Sequence, residues 1–249
     1  MINNEVLNTI NNRKSIRAFS NKPVEEGLIA KIIEAGQRAP STGNAQAYSV
    51  VSLENTEKRK IIGEAMQLQK FVYSAPVWLF VCADWNRQGY LYRKHNIDFT
   101  MTKSNKLFIG VLEASLFTQN MVIAAEALGL GSILIGSVWC DMESVVSTLK
   151  LPEDVFPVMI LCLGYYKIPP QLTPRWDLEN VYHKEEYVKT TEDSAYEYFK
   201  STNKRLIHMK YFDEGITNLK DHLSMRVGEV GNKRTWSPLD KYIKKYLND

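Results

Sequence analysis

Asn105-Lys106-Leu107-Phe108-Ile109-Gly110-Val111-Leu112-Glu113-Ala114-Ser115-Leu116-Phe117-Thr118-Gln119-Asn120-Met121-Val122-Ile123-Ala124-Ala125-Glu126-Ala127-Leu128 is the longest helical signal in the chain, and its reading decides the fold. It is apolar on nearly all sides and studded with small residues at Gly110, Ala114, Ser115, Ala124, Ala125 and Ala127, so it predicts a helix at the centre of the molecule. Glu113, Gln119, Asn120 and Glu126 argue against a membrane span. Gly129-Leu130-Gly131 supplies its C-terminal stop.

C-terminal to this helix, Ser132-Ile133-Leu134-Ile135 reads as a strand ending in Gly136-Ser137. A missing or small side chain there lets backbone N–H groups approach a flat ligand, or simply marks a strand-to-turn glycine. Residues 142–149 read as a short helix and 157–164 as a buried strand. The chain then loses order in a proline-rich arm, 167–175, that ends on Arg175, a candidate phosphate ligand. Polar and aromatic helical segments fill 194–222, residues 226–236 are glycine-rich and basic, and Leu239, Tyr242, Ile243, Tyr246 and Leu247 form an amphipathic helix.

On the N-terminal side, 77–83 is a short apolar run expected as a buried strand, and 88–104 is a connector with some helix. A polar helical stretch is expected over 56–69 and a strand over 48–53. The loop 39–46 between that strand and a helix over 24–37 is rich in breakers, with hydroxyls and amides free to face a ligand. Pro23 is expected to open the 24–37 helix, with Glu25 and Glu26 as dipole partners in its first turn.

A short helix over 6–12 delivers the chain into Asn12-Arg13-Lys14-Ser15-Ile16-Arg17-Ala18-Phe19. On a helix end or turn, Arg13 and Arg17 with Ser15 between them converge on a phosphate. Read alone, the same residues are an ordinary solvated basic turn.

Composition narrows the classes. A chain of 249 residues, 45% hydrophobic, buries a substantial core. With 31 basic against 28 acidic residues, a nucleic-acid partner is disfavoured. Cys82, Cys140 and Cys162 are odd in number and widely spaced, which suits free thiols in a reducing compartment and a cytoplasmic protein. The four histidines have no ligand-spaced companions, so no metal site is expected. No Gly-x-Ser-x-Gly elbow, Walker loop or Gly-x-Gly-x-x-Gly after a strand is present.

Taken in order, Arg13 to Phe19, Ser41 to Gln46, Cys82-Ala83-Asp84-Trp85-Asn86-Arg87, Gln119 to Gly131, Leu134-Ile135-Gly136-Ser137, Pro174-Arg175 and Gly231 to Ser237 resemble the FMN-dependent nitroreductase family. Within it, the chain is most similar to the NADPH-preferring branch of oxygen-insensitive nitroreductases and flavin reductases. The resemblance implies an α+β fold, a mixed, mostly antiparallel sheet flanked by helices, with the long central helix at a homodimer interface. Residues 1–175 then form the FMN-binding core, and 176–249 a helical extension and basic loop of the same domain.

The activity implied is NADPH-driven reduction of nitroaromatics, quinones or free flavin, by ping-pong hydride transfer through FMN N5 with no catalytic side chain. Arg13, Ser15 and Arg175 would hold the FMN phosphate, assisted by Lys14, and Arg17 would reach the N1/O2 edge of the ring. Ser41, Thr42 and Gly43 would line the flavin across the dimer, and Gln69 would bond its pyrimidine edge. Leu134, Ile135, Gly136 and Ser137 would lie against it near N5. Arg226, Lys233 and Arg234 would clamp the NADPH 2′-phosphate. Ser137 stands where this branch commonly carries a second glycine, Thr173 where it often has lysine, and the terminal loop lacks the usual acidic residue before Thr235. Alternatives in the same fold are reductive dehalogenation or flavin breakdown; outside enzymology, a flavin-binding sensor or carrier. No membrane or nucleic-acid partner is expected.

Overall fold

Strand β2, Val77–Asp84, is buried at all eight positions. In the computed structural model, which describes residues 4–208, 218–226, 228 and 232–248, this strand pairs with β1 (Tyr48–Ser52) on one side and β4 (Val155–Gly164) on the other. Strand β3 (Gly131–Ile135) closes the order β1-β2-β4-β3. All three pairings are antiparallel, and a lone parallel bridge between Ser15 and Ser132 makes the β3 edge mixed.

Alternation along β2 splits the core in two. Val77, Leu79, Val81 and Ala83 pack with Tyr48, Phe117, Met121 and Leu161, while Trp78 and Phe80 pack with Ile16, Phe19, Ile62, Met66 and Ile133. A sheet covered on both faces explains why these strands read as continuous apolar runs.

The central helix runs Lys103–Ala127. It has the length and hydropathy of a membrane span, yet Gly110, Glu113, Ala114, Phe117, Met121 and Ala125 are buried, so it is a core helix of the sheet's first layer. Its end is a Schellman motif: Leu130 N–H donates to the Ala125 carbonyl at 2.9 Å and Gly129 N–H to that of Glu126 at 3.0 Å. Gly129 sits at φ 78°, where a side chain is strained.

Around the sheet and the central helix the same unit carries α1 (Glu5–Asn12), α2 (Glu26–Gly36), α3 (Thr56–Ala65), α4 (Asn86–Lys94) and α6 (Met142–Leu149), with Lys103–Ala127 as α5. Helix α2 starts at Glu26 with Glu25 as its N-cap, so Pro23 precedes the helix rather than opening it. Helix α3 stops before Gln69 because Gln67 turns left-handed at φ 52° and Leu68 N–H closes on the Gly63 carbonyl at 2.8 Å. Helix α4 occupies part of the expected connector; of its residues only Gly89 is buried, so it has no apolar stripe to read.

The chain divides into two compact units, Met1–Pro170 with Ser237–Asp249, and Gln171–Trp236. In the second unit Glu192–His208 forms α7 and Leu219–Arg226 forms α8, and Trp176 stacks on Tyr198 with ring centroids 3.5 Å apart. The final helix, α9 (Ser237–Asn248), belongs to the first unit, where Lys245 pairs with Glu143 at 2.7 Å.

Candidate functional site

The cationic segment lies along the open edge of β3. Ile16 N–H donates to the Ser132 carbonyl at 2.9 Å, Ser20 N–H to Tyr165 at 2.7 Å, and Phe19 bridges Tyr166 antiparallel. Arg13 is the C-cap of α1, and from there to Phe19 the chain is pinned along a sheet edge. In an extended run alternate residues share a face, which sets Arg13, Ser15 and Arg17 on the side opposite Ile16. Ile16 is 2% exposed and fills the core, whereas the other three are half-buried. Gly131 permits the approach, because a Cβ there would stand 2.3 Å from Ile16 Cγ1.

Next to this segment, β3 leaves one apolar side chain open: Leu134 is 44% exposed while the strand's four other residues are buried. Ile135 is buried, and Gly136 leads into a 3₁₀ turn over Ser137–Cys140, where the Trp139 indole N–H donates to the Val158 carbonyl at 2.8 Å. The Arg17 guanidinium lies 5.9 Å from the centre of the Phe71 ring, so the turn that Gln69 caps stands beside the cations. Under them, Ser132 donates its hydroxyl to Glu126 at 3.1 Å. Burial raises the Glu126 pKa, opposed by that hydrogen bond and by the charges of Arg13 and Lys14.

The 41–47 loop is held elsewhere, on β1, α4 and α5. Gly43, Asn44 and Gln46 all adopt positive φ. The Glu113 carboxylate, 1% exposed, accepts from Thr42 N–H at 2.7 Å, Ala47 N–H at 2.8 Å and the Ser41 hydroxyl at 2.9 Å. Ser41 Oγ in turn accepts from Gln46 N–H at 2.6 Å. From α4, Gln88 donates to the Ala45 carbonyl at 2.6 Å and Arg87 to those of Gln46 and Tyr48. Tyr48 stacks on Phe117 at 4.2 Å.

The structure thus brings Arg13, Lys14, Ser15, Arg17, Gln69 and the 134–137 stretch to one edge of the sheet, and fixes Ser41, Thr42 and Gly43 on the α5 side. Arg175 belongs to the second unit, where its guanidinium donates to the Thr173 hydroxyl at 2.6 Å and to neighbouring carbonyls. Lys233 is exposed in the turn Asn232–Trp236 of that unit; the side chains of Arg226 and Arg234 lie outside the described residues, as does Gly231. Among the described residues there is no cluster of three metal-ligating side chains. The three cysteines are free, and burial pushes the Cys82 and Cys162 thiols up to about 12.

Sequence reading missed the roles of Glu113 and Glu126, which looked only like interruptions of an apolar helix. Their one signal was position: an acid surrounded by apolar residues on a helix read as central implies a buried partner.

The donor set fits FMN. The two guanidiniums and the hydroxyl that share one face, assisted by the nearby Lys14 charge, suit a phosphate and the polar ring edge, and the uncovered Leu134 suits the face of a flat ring. Fold and donor set together define an α+β protein with a cationic, partly apolar sheet edge whose chemistry suits a flat, anionic group.

Known proteins agree. The model of the nitroreductase family matches residues 10–69 and 63–165. FMN reductase [NAD(P)H] of Bacillus subtilis (strain 168) is 34% identical over 235 residues, covering 93% of this chain and 85% of that protein. Oxygen-insensitive NADPH nitroreductase of Salmonella typhimurium is 34% identical over 175 residues, 70% of this chain and 71% of its own length. Among solved structures, NfrA2 of B. megaterium superposes with a TM-score of 0.85 at 27% identity, covering 96% of this chain and 97% of its own. NADPH:FMN oxidoreductase of Vibrio harveyi, complexed with NAD+, gives 0.81 at 26%, covering 98% and 97%. The chain belongs to the nitroreductase family, and with that membership it is an oxidoreductase.

Proposed function

We propose that this chain is an FMN-dependent oxidoreductase that uses NADPH to reduce small acceptors, among them nitroaromatics, quinones or free flavin. The relatives named above as NADPH- and FMN-using reductases support it. The observation that carries it is the Arg13 to Arg17 segment, hydrogen-bonded through Ile16 to Ser132 beside the exposed Leu134.

FMN bound there supplies the two-electron chemistry. The protein's part is binding and charge. Arg13 and Ser15, with Lys14, grip the phosphate; Arg17 and Gln69 meet the polar edge of the ring; Leu134, Ile135, Gly136 and Ser137 back its face. Arg17 next to that edge favours negative charge developing there, without any side chain gaining or losing a proton. Lys233, with Arg226 and Arg234, reads the coenzyme's 2′-phosphate.

The enzyme works as a homodimer, with Ser41, Thr42 and Gly43 of a second copy covering the flavin. Phe108, Leu112 and Leu116 are exposed at 74%, 48% and 39% along one stripe of α5, and α1 beside it exposes Val6, Leu7 and Ile10. Two copies joined through these faces remove that apolar surface from water. Core packing of α5 and three free thiols support a soluble, cytoplasmic enzyme.

The test is optical. The purified protein is expected to show oxidised-flavin absorbance, or gain it with added FMN, and to bleach with NADPH and recover with a quinone. Protein that neither carries nor binds FMN overturns the reading.

A further inference from the structure

Glu113 is the most enclosed charge on α5, and the three groups that donate to it come from one short loop. Thr42 N–H reaches one carboxylate oxygen; Ala47 N–H and the Ser41 hydroxyl reach the other. One acidic side chain therefore grips both ends of a segment in which Gly43, Asn44 and Gln46 are all left-handed, a conformation that costs the two non-glycine residues energy. One turn further along α5, Phe117 stacks on Tyr48, the residue that follows the loop.

We propose that Glu113 is the positioning residue that sets the 41–47 loop in the shape that receives the flavin ring. The inference rests on the reading that Ser41, Thr42 and Gly43 line the flavin. It goes beyond that reading by assigning the loop's geometry to a side chain on the central helix that does not itself meet the cofactor.

The chemistry demands a carboxylate. Both oxygens accept from backbone N–H groups, and only an ionised carboxyl is an acceptor at both. Glutamine has the same size, but whichever way its amide turns, an NH₂ group faces Thr42 N–H or Ala47 N–H, donor against donor. Aspartate is one methylene too short to meet both ends. Ser41 can accept from such an NH₂ through its second lone pair, but that still leaves a backbone N–H of the loop without its acceptor.

The experiment uses full-length protein stripped of FMN, in three variants. Amide hydrogen exchange at Thr42 and Ala47 reports the strut with no flavin present. Titration with FMN and with riboflavin, which lacks the phosphate, separates ring from phosphate. Visible circular dichroism of bound flavin reports the ring's surroundings, which a loss of stability alone does not alter.

Glu113→Gln is expected to speed exchange in the loop, weaken FMN and riboflavin by the same factor of about ten to a hundred, and change the dichroism. Glu113→Asp, which keeps the charge but is too short to hold both ends of the loop at once, should act in the same direction but more weakly, and decides the matter if Glu113→Gln does not fold. Arg13→Ala should weaken FMN and spare riboflavin. Unchanged flavin affinity in a folded Glu113→Gln protein overturns the inference, as does a loss confined to FMN. If Arg13→Ala also leaves FMN tightly held, the flavin-site reading falls with it; if Arg13→Ala alone weakens FMN, the site stands and the role of Glu113 does not.

Discussion

Ser132 donates its hydroxyl to Glu126 at 3.1 Å. Its carbonyl accepts from Ile16 N–H at 2.9 Å, so one serine couples a half-buried acid on α5 to the segment that carries Arg13, Lys14 and Arg17.

That acid has a signature in stability. Burial raises the Glu126 pKa above its ordinary value of 4.5, against the opposing pull of Ser132, Arg13 and Lys14. A carboxyl whose folded pKa is raised binds its proton more tightly in the folded state. Its contribution to stability is complete below the ordinary value and is lost as pH rises through the window above it. Glu126→Gln removes that titration and keeps an acceptor for Ser132. Melting temperatures of the apo-protein from about pH 4 to 7 should show the variant gaining on the wild type as pH rises. A constant difference would mean that Glu126 is not destabilised by burial.

Arg17 invites a different measurement. A cation at the polar ring edge stabilises the reduced cofactor, which holds the extra charge, more than the oxidised one. Arg17→Leu should therefore lower the two-electron potential of bound FMN, by about 20 mV for each kcal/mol of differential stabilisation lost. A redox titration with no downward shift would remove Arg17 from that edge.

The cationic segment was legible as chemistry but not as conformation. Arg13, Ser15 and Arg17 stand out by charge and spacing, and their pattern fits a helix end as well as a strand edge. The choice is made by Ser132 and Gly131, far along the chain, whose carbonyl and missing side chain admit Ile16. The 41–47 loop announced itself through its breakers, but the acid that holds it lies 72 residues from Ser41, and its apolar surroundings imply a buried partner without saying which. The α5 helix and its stop at Gly129 were readable because an unbroken apolar run and its capping glycine are local signals; α4 was legible only as some helix in a connector, since it buries no stripe.

The exposed stripe on α5 gives a test of assembly. Leu112 is 48% exposed, between Phe108 and Leu116 on the same face. Leu112→Glu places a charge in the middle of the proposed dimer surface, where desolvation opposes association. Sedimentation should show monomer, and FMN should leave with the partner. A flavin-loaded dimer in this variant would place the interface on another face.

Coenzyme choice is the last test, and it rests on the basic loop. Lys233 is exposed in its turn, so a contact with the 2′-phosphate of NADPH is a surface ion pair, worth about 0–1 kcal/mol. The effect of removing it is correspondingly modest and sensitive to salt. Replacing Lys233 and Arg234 together by alanine should raise KM for NADPH severalfold and leave kinetics with NADH, which lacks that phosphate, nearly unchanged. FMN should stay bound, because neither residue belongs to the Arg13 to Arg17 segment. A KM change without loss of kcat identifies a contact made equally in the bound state and the transition state. The penalty should shrink as ionic strength rises, since screening weakens the wild-type contact and leaves the variant little to lose. Equal losses with both coenzymes would show that the loop acts on something they share, and no loss with either would return it to the surface.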